Sequence, residues 1–311
     1  MFKKVFIFLL LPFFLISCFE EKKTVSDNSG EEMVKTEVKV VKGEFSPDGN
    51  FIAFTKEKFK GLYVKNLKSG EIEQISDADG AGYNFSWSPD SRGIAFREID
   101  FSANPVKYFL KKKVLKENKI HLIGEFDRAI SPPVWKDTIY SADTVKFTNI
   151  SLADKPLSIL KNAPKPLKFN VFTADNRVHI INLKTGVLKS LEKGSHSPKI
   201  SENGKYLLYI HYDTIKILTV ADSKTFEIGN GSSPSWVGST KVVYTSTLDD
   251  GRDITFSEVF LFDLQTGKNS LIPVNNERIP LSPSISPDGK KLLFTDGVTG
   301  QLFLTTVNEE K

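Results

Sequence analysis

FSPDGNFIAF (Phe45–Phe54), WSPDSRGIAF (Trp87–Phe96), ISENGKYLLY (Ile200–Tyr209) and ISPDGKKLLF (Ile285–Phe294) are four versions of one ten-residue phrase. Proline fixes its own torsion, aspartate or asparagine accepts hydrogen bonds from nearby amides, and glycine takes the left-handed position. The short apolar run that follows ends in an aromatic residue, so the phrase reads as a hairpin turn feeding a buried strand. Looser turns stand at Trp135 (WKDT) and Trp236 (WVGSTK), and none precedes Phe172, so that unit is expected to be short of an inner strand. The aromatic-terminated run itself recurs seven times, ending at Phe54, Phe96, Tyr140, Phe172, Tyr209, Tyr244 and Phe294. Its intervals are 42, 44, 32, 37, 35 and 50 residues, averaging 40. That is the period of radially repeated small sheets.

A second strand follows each run: LYVKNLKSG from Leu62, VHIINLKTG from Val178, VFLFDLQTG from Val259 and LFLTTV from Leu302, with looser copies at Val145 and Ile215. Apolar residues at the first and third places share one face of a strand. The glycine that closes the longer copies turns the chain into a further strand. KYFLKKKVLKE, around Phe109, departs from the pattern but is still read as a strand. No stretch keeps a helical period, so helices should be nearly absent. The fold class expected is all-β, a seven-bladed β-propeller with six blades as the alternative. The last unit lacks an outer strand, and the alternating stretch Thr36 to Val41 is expected to supply it, completing the last blade from the N-terminal side.

The F/W/I-S-P-D-G turn followed by an apolar-aromatic strand resembles the TolB-type propeller repeat, also seen in propellers of prolyl-oligopeptidase relatives, over nearly all of residues 37 to 308. TolB proteins carry an additional α/β domain ahead of a propeller that usually has six blades. Here only a charged, polar stretch precedes the repeats.

Cys18 is the only cysteine, so no internal disulfide can form. Before it lie Lys3 and Lys4, an apolar run from Val5 to Ile16, and Ser17, the layout of a secretion signal and shorter than a spanning helix. Leu15-Ile16-Ser17-Cys18 resembles the bacterial lipobox, which implies lipidation of Cys18 and anchoring by several acyl chains. The expected organisation is a signal peptide at 1–17, a lipidated flexible tether at 18–35 and the propeller at 36–311. Glu20 is not the Asp that marks inner-membrane retention in enterobacterial lipoproteins, so the resemblance favours an outer-membrane anchor facing the periplasm. The formal charge of +4 falls to +2 without Lys3 and Lys4, too balanced for a nucleic-acid binder.

Chemistry-bearing motifs are sparse. Asp48, Asp90 and Asp288 occupy the same repeated turn and are read as backbone caps, not a carboxylate cluster. His121, His179, His196 and His211 have no metal spacing, and no nucleophile elbow, P-loop or zincin motif occurs. DDGRD (Asp249–Asp253) lacks the spaced ligands of a calcium loop and is read as a solvated loop or partner contact. No cofactor and no metal are expected. Propeller loops gather around the channel mouth, where a rigid scaffold lets them bind. Tyr83, His196, Asp250 and Arg252 are the candidate partner-binding residues there. The function expected is that of a monomeric, membrane-tethered envelope scaffold holding a protein or peptidoglycan-associated partner, with no catalytic residues. The alternative is a glycan hydrolase or lyase using channel-end acids from Glu98, Asp143, Asp175 and Asp296.

Overall fold

The computed structural model describes residues 30–36, 38–136, 139–141, 168–182 and 184–307. The signal and lipidation reading at 1–18, the acid Asp143 and the strand expected at Val145 lie outside the described residues. A first strand, β1 (Glu32–Val34), precedes a four-stranded sheet of β2 (Val40–Phe45), β3 (Phe51–Lys56), β4 (Leu62–Asn66) and β5 (Ile72–Ser76). The next sheet holds β6 (Ser86–Trp87), β7 (Gly93–Asp100), β8 (Lys107–Val114) and β9 (Ile120–Phe126). The stretch around Phe109 is thus a strand, as read. A short pair, β10 (Val134–Trp135) and β11 (Ile139–Tyr140), comes before the three-stranded sheet of β12 (Phe169–Ala174), β13 (Arg177–Asn182) and β14 (Leu188–Lys193). Two further four-stranded sheets follow: β15 (Ser195–Ile200), β16 (Tyr206–His211), β17 (Thr214–Thr219) and β18 (Thr225–Asn230), then β19 (Ser232–Val237), β20 (Lys241–Asp249), β21 (Ile254–Asp263) and β22 (Asn269–Ile272). The last is β23 (Pro280–Ile285), β24 (Lys291–Asp296) and β25 (Leu302–Thr306), with β1 on its outer edge. A single turn of 3-10 helix, Glu57–Phe59, is the only helical element among the described residues, and no helix there is long and apolar enough to cross a membrane.

The strand ending in the aromatic residue explains how the sheets form a ring. Side chains alternate across a strand, and here both faces are covered. Ile52 and Phe54 of β3 pack against Leu293, Leu302 and Leu304 of the last sheet, while Ala53 packs with Trp87, Ile94 and Phe96 of the following one. β16 and β20 repeat the arrangement: Leu207 and Tyr209 face the sheet before, Leu208 and Ile210 the sheet after, and Val242 and Tyr244 divide from Val243 in the same way. The core is therefore a series of layers between neighbouring wedges. Phe54, Phe96, Phe172, Tyr209, Tyr244 and Phe294 are all buried, and four of them stack on the next strand's ring, as with Phe54 on Tyr63 at 5.3 Å and Phe294 on Phe303 at 5.7 Å.

The turn phrase is built the same way in all four copies. Ser46, Ser88, Ser201 and Ser286 each donate Oγ–H to the carboxylate or amide oxygen two residues on, at 2.6–2.8 Å. Each Oγ also accepts the N–H of the first residues of the next strand, at 2.8–3.0 Å. The Asp or Asn oxygen takes a further backbone N–H two residues later. Asp48, Asp90 and Asp288 are thus turn caps, as read. Gly49, Gly204 and Gly289 are left-handed at φ of 73°, 69° and 76°; where the second copy has no glycine, Ser91 takes φ of 60°, and its hydroxyl accepts the N–H of Asp48 from the neighbouring turn.

Two expectations are corrected. Among the described residues six sheets of three or four strands form the blades, not seven. Among the described residues the third repeat, at Tyr140, gives only the pair β10–β11. Its turn, WKDT, has neither the serine nor the proline and glycine that close the others, and Trp135 is spent packing on Gly93. The unit at Phe172 contributes β12, β13 and β14, and β12 lines the channel; the stretch before it, where an inner strand was expected to be lacking, lies outside the described residues. The N-terminal strand does complete the last blade, but with Glu32–Val34 paired to Leu302–Leu304 instead of Thr36 to Val41. Val40 belongs to the first blade, paired with Lys56. The segment drawn as tether, 18–35, therefore includes this strand. Val34, in a run of charges, is the residue that buries (4% exposed), and Glu31 accepts the Asn275 N–H at 2.7 Å with the Arg278 guanidinium 3.8 Å away.

Candidate functional site: the central channel and its mouth

Inner strands β2, β6, β10, β15, β19 and β23, together with β12, enclose a channel of about 2440 Å³. Their local sequence sets its lining. Ser197-Pro198, Ser233-Pro234 and Ser282-Pro283 each place a serine at positive φ, 55°, 52° and 50°, where the register of the inner strand slips. A left-handed non-glycine residue is strained, and the proline after it has no N–H for the ladder to lose, so these dipeptides make bulges that open the strand toward the channel. The Ser-Pro pairs inside inner strands are the sequence signal for this lining.

The wall is cationic. Lys42, Arg97, Lys136, Lys168, Lys199 and Lys205 line it, against Glu44, Asp175 and Glu202. Lys42 pairs with Glu44 at 2.8 Å and donates to Asn84 at 3.1 Å. Both side chains of that pair are walled by protein yet wet, 16% and 26% exposed. Burial raises the Glu44 carboxyl, but Lys42 and Lys199 outweigh it and hold the group below the usual range. Lys199, from the blade three away around the ring, donates to Ser235 Oγ at 3.4 Å. Burial first, then the charge of Lys42, pushes its ammonium down to about 8, with Glu44 opposing. Arg97 donates through Nη1 to the Ile130 carbonyl, and its Nε is buried without a hydrogen-bond partner. Burial lowers its pKa, with Tyr83 and Tyr108 opposing; a guanidinium stays charged regardless.

The sequence-derived candidates divide. Tyr83 and His196 both line the channel. The Tyr83 ring lies 5.0 Å from the Arg97 guanidinium and meets Phe59 edge-on at 5.2 Å, so an aromatic and a cation are presented together. His196 stands with Nδ1 3.0 Å from Ser197 Oγ and Nε2 3.3 Å from the Tyr212 carbonyl. Asp250 and Arg252 are elsewhere, in the exposed tip joining β20 to β21. There Asp250 accepts the N–H groups of Arg252 and Asp253, and Asp249 that of Gly251. DDGRD is thus a turn capped by its own carboxylates.

The acids expected at the channel end are also separated. Glu98 accepts Ser76 Oγ–H and pairs with Lys111. Asp296, 1% exposed, is consumed by the N–H groups of Ile279 and Thr299 and the Thr299 hydroxyl. Neither lines the channel; Asp175 does. Among the described residues no three His, Cys, Asp or Glu side chains group as a metal site. Lys42, Glu44, Arg97 and Lys199 were not singled out in the sequence, where nothing distinguishes them from surface charges.

No known protein family and no curated protein matches the chain. Among solved structures, the chain is similar to the Myceliophteria thermophila Cps50 (Swd1) β-propeller domain, with a TM-score of 0.60 at 14% identity over 89% of this chain and 100% of that one. This match establishes the β-propeller fold. The chain also resembles TolB from Acinetobacter baumannii (TM-score 0.48, 11% identity, 88% of this chain and 64% of that one) and an oligogalacturonate lyase in complex with manganese (0.46, 16%, 86% and 76%).

Proposed function

We propose that the chain is a binding module of the cell envelope, lipid-anchored through Cys18 at the outer membrane and facing the periplasm. In this reading it holds a protein or peptidoglycan-linked partner at the channel mouth and performs no catalysis of its own. The observation that supports it most is the mouth itself, where Tyr83 and Arg97 offer an exposed aromatic beside a half-buried cation, residue types that anchor interfaces. Site-specific photo-cross-linkers at Tyr83 and His196, introduced in intact cells, are expected to capture one common species. A cross-linker at Thr266, in the exposed turn between β21 and β22 and outside the channel lining, is expected to miss it. Equal capture from all three positions, or from none, rules the reading out. Loss of acyl labelling in Cys18→Ser tests the anchor separately.

A second reading, a glycan-cleaving hydrolase or lyase, draws on Lys199: an amine pushed down to about 8 beside a carboxylate in an open channel is a competent base. Turnover of cell-wall or acidic glycans that disappears in Glu44→Gln and Lys199→Met would favour it over the binding module. The absence of turnover across such a panel removes it.

A further inference from the structure

Over the whole chain 42 Lys and Arg nearly balance 38 Asp and Glu, yet among the described residues the channel wall carries twice as many cations as acids. Lys42 has a carboxylate partner in Glu44. Lys199 forms no ion pair with any described residue, its polar contact being the neutral Ser235 hydroxyl. A cation taken partly out of water without a counter-charge is costly, and an anion entering the channel removes that cost. We infer that the channel is a receptor for a small oxyanion, a carboxylate or a phosphate-type group, bridged between Lys199 and Lys42 from two different blades. Glu44 sits beside this pair as the only acid coupled to it, which leaves the three groups with a net positive charge when Lys199 is protonated. The site goes beyond a partner-binding mouth, since it requires only the chain and the ion.

The same geometry makes binding depend on pH. Lys199 faces Lys42 and Glu44 of β2 and Ser235 of β19. The other titratable groups on the wall, among the described residues, are Tyr83, Arg97, Lys136 and Lys168, Asp175 after β12, His196 on its own strand, Glu202 and Lys205 in its following turn, and Tyr206 on β16. A bound anion favours the ammonium form, so affinity is full while Lys199 is protonated and falls as it deprotonates.

Isothermal titration of the full chain with sulfate, and separately with succinate, at pH 7 and 9.5 tests this, because both probes stay dianionic throughout. With Lys199 titrating at about 8, affinity is expected to weaken roughly thirtyfold between the two pH values. Lys199→Arg, whose charge does not titrate, is expected to bind at both pH values and lose the dependence. Lys199→Met is expected to lose binding at least about tenfold, and His196→Asn to leave the pH profile unchanged. Should Lys199→Met fail to fold, as read by circular dichroism, the arginine variant decides alone. Binding of sulfate only assigns a phosphate-type ligand, and binding of succinate only assigns a carboxylate ligand; either supports the site. No heat from either probe up to about 10 mM, or a pH dependence that survives Lys199→Arg, overturns it. The cross-linking experiment has no bearing on this outcome, so the two readings fail separately.

Discussion

Replacing Ser88 by alanine tests the device on which every copy of the turn depends. Ser88 is buried, its hydroxyl donates to Asp90 at 2.6 Å, and it accepts the N–H of buried Gly93 at 2.8 Å. Alanine strands that N–H, costing about 1–3 kcal/mol, and deletes a bond to a carboxylate that contributes about 1.5–3 kcal/mol. The two overlap, because one hydroxyl makes both, so about 3 kcal/mol is expected, or roughly a hundredfold in the unfolding constant. Ser201→Ala should cost less, about 1–2 kcal/mol, because its partner is the neutral Asn203. Ser69→Ala is the control: an exposed serine in a comparable turn, bonded to Glu71 in solvent, with an expected change within about 0.5 kcal/mol. Urea unfolding of the three variants, followed by tryptophan fluorescence, gives the ranking Ser88, Ser201, Ser69. If Ser88→Ala unfolds at the same urea concentration as Ser69→Ala, the turn is not held by this hydroxyl and the reasoning fails.

Val34→Ala removes two buried carbons from the closing strand and should cost about 1.5 kcal/mol at roughly 0.8 kcal/mol each. Met33→Ala, on the exposed side of the same strand, should be nearly silent, and faster hydrogen exchange of the Leu302–Leu304 amides should accompany only the former. At low pH, Asp296 governs part of the stability. Burial raises its carboxyl, but the Thr299 hydroxyl and the N–H groups of Ile279, Val298 and Thr299 hold it below its ordinary value of 3.8. A depressed folded pKa gives stability that is complete above the unfolded value and disappears as pH falls through the folded one. The acid limb of a stability profile below about pH 4 should therefore be shallower in Asp296→Asn, which is also less stable at neutral pH.

What could be read in advance divides by physical range. The turn and the aromatic strand are local: Ser88, Asp90 and Phe96 sit within nine residues of one another and make their own hydrogen bonds or pack one layer away, so their pattern survives in sequence. Blade number depends instead on whether a weak copy recruits enough strands, and WKDT at Trp135 looked like a turn while lacking the serine that closes one. The closing strand was misplaced for a related reason. Val38 and Val40 alternate well, but Val34, flanked by charges, is the residue with a partner waiting in Leu302. The channel was illegible because Lys42 and Lys199, 157 positions apart, acquire meaning only when blades separated around the ring point inward. Tyr83 and His196 could be found as loop residues near a mouth. Asp250 and Arg252 met the same criterion, yet their hairpin carries them to an exposed tip.

The outer position of β1 determines how the domain bears mechanical load. Tension applied through the N-terminal segment falls first on three residue pairs at the rim, Glu32 to Leu304, Met33 to Phe303 and Val34 to Leu302, and on the Glu31 clasp beside them. Once this short seam parts, the load passes along the chain to β2 of the first blade, and β25 is left as the open edge of the last one. A pull from that end therefore meets a three-residue fuse, and the β25 edge, before any of the apolar layers between wedges.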